Sequence, residues 1–195
     1  MTDNSSGILT GMAEASLQKC LGRLSKVSAG TWEILGISAS RGTLEDAVKR
    51  HDFKNPAASA VYLNIAELPL LAMMMFDPED MENISNCFMG YSFARGPVTT
   101  QAEEMMLLEL GNIILNSLIN SSLNALKKSA MPSVPVYLEG DAGRLLAGLG
   151  AVADLKKNFH IIAATLVIRS KKGVSRSEVL ALIPEELALE PGPAK

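Results

Sequence analysis

The sequence predicts a single α/β domain of the α+β type, with a mostly antiparallel sheet and helices packed against it. Two long segments, Ile8 to Ser28 and Gln101 to about Ser129, carry apolar residues at helical spacing. Between and after them lie short apolar runs bounded by Gly, Pro and Asp, the pattern of strands and turns. The chain has 195 residues, 48% apolar and 20% charged, so one sizeable core is available and a disordered chain is excluded.

Residues 1–7 read as a loose tail, and Gly30 as the end of the first helix. Thr31 to Ser38 reads as a strand and Arg41-Gly42 as a turn. Thr43 is a candidate cap for a short helix to Arg50, with Asp46 three residues on. Ala60 to Ala66 and Leu70 to Phe76 are consecutive strands around a turn at Glu67-Leu68-Pro69. Asp77-Pro78 places a cap and a proline at the start of a helix to about Met89. Gly90 to Thr100 is a linker. Pro132 and Pro135 lie beyond the second long helix. Val134 to Glu139 is extended, Asp141 to Val152 is a helix or a looser apolar segment, and Asn158 to Arg169 is a buried strand. Lys171-Lys172-Gly173 is a turn, Ser175 to Leu182 a final short helix, and 188–195 a tail. The order of long helix, strands and short helix occurs twice, suggesting a pseudo-symmetric duplication with halves near 8–90 and 101–185 inside one domain spanning 1–195.

Composition removes several function classes. A net charge of -3 and isolated lysine pairs give no basic face for nucleic acid. Two histidines, His51 and His160, and two distant cysteines, Cys20 and Cys87, leave no parts for a zinc site or a Ser-His-Asp triad. The cysteines read as buried thiols in a reducing compartment rather than a disulfide. No apolar run reaches the ~18 residues of a membrane span, so a cytoplasmic protein without membrane insertion is expected. The Met73-Met74-Met75 run and the lone Trp32 read as core, Met105 as a surface residue able to touch a partner, and Gly140-Asp-Ala-Gly143 as a turn rather than a phosphate loop.

One polar feature stands out. On a helical wheel Leu107, Leu110, Ile114, Leu118, Ala125 and Leu126 face one broad side, and Glu109, Asn112, Asn116, Asn120 and Lys127 the other. Asn costs about half a kcal/mol or more against Ala inside a helix, so an idle solvent face would be built from other residues. Glu109 and Asn112, three apart, are neighbours on the surface. The carboxylate can pair with a partner's cation. The amide carries both a donor and an acceptor and can hold a water for in-line attack on a phosphoryl group.

The segment Glu109-Leu110-Gly111-Asn112-Ile113-Ile114, with Pro135 placed 22 residues beyond Asn112, resembles the signature of the CheC/CheX/FliY chemotaxis phosphatases. That signature runs Asp or Ser, three residues, Glu, two residues, Asn, 22 residues, Pro. The resemblance covers residues 101–140 well and the rest in outline. It implies a pseudo-symmetric α/β domain with two long helices and an extended sheet. It also implies hydrolysis of the aspartyl phosphate of a CheY-like response regulator. Asn112 would orient the water, Glu109 would pair with the regulator's lysine, and Pro135 would be structural. Met105 and Asn116 would contact the partner. No cofactor of its own is implied, because the Mg2+ would sit on the regulator. A CheD-like activator or a homodimer would be further partners. Two departures stand against the pattern. Met105 occupies the Asp or Ser position, and the first long helix has no Glu-x-x-Asn, so at most one site remains. These departures support an alternative: a non-catalytic module that docks a response regulator or a flagellar switch component. A structural half that works only as an oligomer is a third reading.

Overall fold

Alternation along the strands decides which face of the sheet each residue meets, and here both faces are covered. The computed structural model describes residues 4–51, 57–93 and 99–187. The strands are β1 (Thr31–Thr43), β2 (Ala58–Ile65), β3 (Leu68–Phe76), β4 (Val136–Gly140), β5 (Asn158–Ser170) and β6 (Gly173–Pro184). The helices are α1 (Asn4–Val27), α2 (Leu44–Lys49), α3 (Met81–Met89), α4 (Gln101–Ala125) and α5 (Ala142–Leu149). The strands form one sheet in the order β1-β5-β6-β3-β2-β4, and every neighbouring pair is antiparallel.

Val61, Leu63, Ala72, Met74, Phe76, Val179 and Ala181 point to the face covered by α1, α3 and α4. Ala60, Tyr62, Met73, Met75, Leu180 and Leu182 point to the opposite face, under α2 and α5. The three methionines of β3 are therefore core, divided between two layers.

This double burial also corrects one expectation. Residues 175–182 form the middle of β6, not a helix. A strand covered on both faces loses its polar alternation and cannot be told from a buried helix by periodicity alone. Three boundaries differ as well. β1 runs straight through Arg41-Gly42, because β5 is long enough to pair with it as far as Thr43. α1 begins at Asn4, inside the segment expected to be loose. α4 ends at Ala125, Leu126 caps it, and Lys127 turns left-handed at φ 52°, so Lys127 leaves the polar stripe. The tail at 188–195 and residues 94–98 of the linker lie outside the described residues.

Several local signals act as read. Thr43 and Asp46 form a capping box on α2. The Asp77 side chain accepts the Glu79 N–H at 3.1 Å, with Pro78 at the first position of a single turn of 3-10 helix leading into α3. Asp141 accepts the Arg144 N–H at 2.9 Å and starts α5.

The same succession, long helix, strand, short helix, two strands, occurs as α1-β1-α2-β2-β3 and as α4-β4-α5-β5-β6. The short helix sits between the strands instead of after them. Exchanging the two series maps the sheet order onto itself. α1 and α4 pack antiparallel, and the Ser16 and Ser117 hydroxyls each donate to the other's carbonyl, at 2.8 and 3.3 Å. These two residues are 101 apart. The flanking contacts, Ser121 Oγ to the Met12 carbonyl and Cys20 Sγ to the Ile113 carbonyl, exchange under the same shift. By that shift Ile8 and Gly11 of α1 hold the places of Glu109 and Asn112.

α4 seats on β2 through a glycine. A Cβ built on Gly111 would lie 2.5 Å from Val61 Cγ1, and Val61 is fully buried and β-branched. Gly in a helix costs about 1 kcal/mol against Ala, so a close approach is the physical reason for it here. We expect Gly111→Ala to lower stability by about 1–3 kcal/mol despite its better helix propensity, because the helix must lift from the sheet. Denaturant midpoints check this. In the Gly111→Ala/Val61→Ala double variant the two costs should fail to add, by about 1 kcal/mol or more.

Candidate functional site

α4 is fixed at its start by its own sequence. Thr100 N–H donates to Glu103 Oε2 at 2.7 Å, and Thr100 Oγ1 accepts the Glu103 N–H at 3.3 Å. This reciprocal cap follows from Thr-x-x-Glu, a signal open to sequence reading that the expectation above did not use. Leu107, Leu110, Gly111, Ile114 and Leu118 are buried against the sheet. The rotation of α4 is therefore set, and Met105, Glu109, Asn112 and Asn116 take the outer side.

Met105 is 64% exposed. Glu109 is exposed, and among the described residues its carboxylate makes no hydrogen bond or ion pair. Asn112 and Asn116, one turn apart, are half-buried. Asn116 Nδ2 donates to Asn112 Oδ1 at 2.6 Å and to the Asn112 carbonyl at 2.9 Å. A carboxylate, a carboxamide and a second carboxamide holding the first thus stand in one row. Asn120 belongs elsewhere, at the wall of a groove of about 780 Å³ between α1 and α4, with Lys19, Cys20, Arg23 and Ile113. Glu109 and Asn112 do not line that groove. They stand on an open ridge, which suits a globular partner better than an enclosed small molecule.

Pro135 is half-buried and directly precedes β4. The chain reaches it through Ser133, whose N–H donates to the Asn64 carbonyl at 2.8 Å and whose Oγ accepts the Asn64 N–H at 3.2 Å. The β2–β4 ladder ends at Val136, so the missing N–H of Pro135 leaves no ladder bond unmade. Pro135 thus serves the path from α4 back to the sheet edge and stands apart from the polar ridge in sequence and element.

Other groups weighed in the sequence lie off this row. Cys20 and Cys87 are free buried thiols whose pKa burial pushes up. His51 Nδ1 meets Glu178 Oε2 at 2.5 Å, on β6 away from α4. Asn83, within a glycosylation-type sequon, is buried and donates to the Ile168 carbonyl and to Ser175 Oγ. Trp32 is buried, its indole N–H donating to Ser28 Oγ at 2.9 Å. Among the described residues no helix is long and apolar enough to cross a membrane.

Sequence reasoning missed the part of one residue and one contact. Gly111 lies inside the motif, and its signal was a glycine in the middle of a helix. The hold of Asn116 on Asn112 had only its i, i+4 spacing as a signal.

No protein-family model matches the sequence, and no curated protein is significantly similar to it. Solved structures are similar in fold. FliY of Thermotoga maritima superposes with a TM-score of 0.68 at 13% identity, covering 96% of this chain and 93% of that one. The FliM middle domain of H. pylori gives 0.61 at 10% identity, covering 94% of each. CheX of Borrelia burgdorferi, solved in a complex with CheY, BeF3 and Mg2+, gives 0.50 at 14% identity, covering 90% and 97%. The six-stranded antiparallel sheet between paired long helices and smaller ones is therefore the fold of the CheC/CheX/FliY family.

Proposed function

We propose that this protein hydrolyses the aspartyl phosphate of a CheY-like response regulator. The observation that carries the reading is the outward pair Glu109 and Asn112 on a helix whose rotation the core fixes, at the motif's spacing and in the fold of the phosphatases it resembles. The solved complex of a CheX with CheY supports the choice of partner.

The reaction needs little from this chain. Water attacks phosphorus in line, the bond from phosphorus to the aspartyl oxygen breaks, and inorganic phosphate and the free carboxylate leave. Catalysis of such a displacement is mostly positioning and charge stabilisation. The magnesium that offsets the phosphoryl charge would be the regulator's own. Asn112 would hold the water, and holding a nucleophile in near-attack geometry can supply several kcal/mol. Glu109 would pair with the regulator's lysine. An exposed ion pair contributes only ~0–1 kcal/mol, so the role of Glu109 is register, aligning Asn112 with the phosphorus once docking has excluded water.

A second reading is a docking module without catalysis. The likeness to FliM, solved in a complex with FliG, favours it, as do Met105 at the Asp or Ser position and the absence of the motif from α1. On that view the ridge binds a regulator or a flagellar switch component.

A regulator phosphorylated with a small phosphodonor separates the two. We expect the wild-type chain to speed loss of the phosphoryl group, and Asn112→Ala to remove about 100-fold of that acceleration while the chain stays folded. Binding without acceleration would establish the docking module, and an undiminished rate in Asn112→Ala would falsify the assignment. Met105→Asp, at an exposed position, should raise the rate when Asn112 is present and do nothing in the Asn112→Ala background.

A further inference from the structure

We infer that Asn116 is a positioning residue that fixes which end of the Asn112 amide faces the phosphoryl group. The inference rests on the phosphatase reading above.

The two contacts of Asn116 determine both amides in turn. Its terminal atom lies 2.9 Å from the Asn112 backbone oxygen. A carbonyl oxygen only accepts, so that atom must be the amide nitrogen. The same nitrogen lies 2.6 Å from the Asn112 side chain, so the atom there must be an acceptor, Oδ1. The NH2 group has two hydrogens, one for each oxygen. The helix backbone thereby orients Asn116, and Asn116 orients Asn112.

Without this hold, the Asn112 amide would sample two nearly equivalent orientations, because its terminal torsion is broad and roughly two-fold. Only one suits the reaction. With Oδ1 against Asn116, that oxygen keeps a second lone pair to accept an O–H of the attacking water. The Asn112 Nδ2 is then turned away from Asn116, and its two hydrogens are free to donate to phosphoryl oxygens. Reversed, the amide would direct oxygen at a negatively charged group. The arrangement also gives a reason for an asparagine at 116, where Lys or Gln would favour the helix more. Asn116 touches neither water nor phosphate in this scheme and acts only through Asn112.

The test compares Asn116→Ala and Asn116→Gln with wild type and with Asn112→Ala, using the same phosphorylated regulator and the full chain. We expect Asn116→Ala to lower kcat by about tenfold with KM and melting temperature nearly unchanged, since the amide is misdirected part of the time rather than lost. Asn116→Gln, which keeps the donor, should recover most of the rate. The Asn112 side-chain 15NH2 resonances should move in the alanine variant and return toward wild type in the glutamine variant. An unchanged kcat in Asn116→Ala, with Asn112→Ala inactive, overturns the inference and leaves the hydrolase standing. A rise in KM alone overturns it too and makes Asn116 a partner contact. Loss of any Asn112 effect removes the hydrolase reading and this inference together.

Discussion

The close approach of α4 to β2 is the constraint on which the rest of the ridge depends. Gly111 rests against Val61 with no room for a Cβ. Leu107, Leu110, Ile114 and Leu118 are fully buried along the same side of the helix. A helix anchored this way cannot roll without exposing one of them, and a roll of one residue would swing the outer row by about 100°. The side of the helix on which Glu109 and Asn112 stand is therefore set by packing, and the Asn112 amide is held there by Asn116. On the phosphatase reading such preorganisation would matter, because a group that places a water loses rate when its helix is disordered.

The two-fold relation of the halves explains why such a helix exists at all, and also why it occurs only once with polar chemistry. α1 and α4 meet around reciprocal bonds between Ser16 and Ser117, so each long helix is the other's side support. That packing makes no demand on the outer row. At the places equivalent to Glu109 and Asn112, α1 carries Ile8, which is 45% exposed, and Gly11, which is exposed too. An exposed isoleucine and a mid-helix glycine are poor choices for solvation and helix stability alike. Nothing in the packing of α1 on β1 and β5 requires them. The outer faces of α1 and α4 thus differ while the buried seam between the helices is symmetric.

Much of this was legible in the sequence, for reasons specific to each element. The β2–β3 hairpin, the caps of α2 and of the 3-10 turn before α3, and both long helices declared themselves because local chemistry and tertiary placement agree there. β6 did not. Its Val179 to Ile183 run serves two cores at once, and a run apolar at every position carries no period. The passage of β1 through Arg41-Gly42 was likewise invisible, because pairing with β5 overrides a local turn signal. Glu109 and Asn112 were legible as neighbours on α4 from their spacing, and Pro135, read with them, stands apart from the ridge just before β4. Gly111 could have been found by asking why a glycine sits in a helix. The bond from Asn116 to Asn112 is one of several available to an i, i+4 pair of amides, and only rotamers decide it.

The composition of the ridge fits a division of labour between two proteins. The outer row of α4 offers a carboxylate and carboxamides, with no thiol or imidazole among them. Carboxamides neither form a covalent intermediate nor shuttle a proton at neutral pH, so on the phosphatase reading Asn112 and Asn116 would contribute geometry and fixed dipoles. An acyl phosphate held by a partner with its own metal already has a good leaving group and neutralised oxygens. What it lacks is a water in the right place. Neither core cluster includes Asn112, so replacing its amide would leave the core and the fold in place. The core is thus compatible with the hydrolase reading and with the docking reading alike, and the difference between them would lie in the outer row of α4.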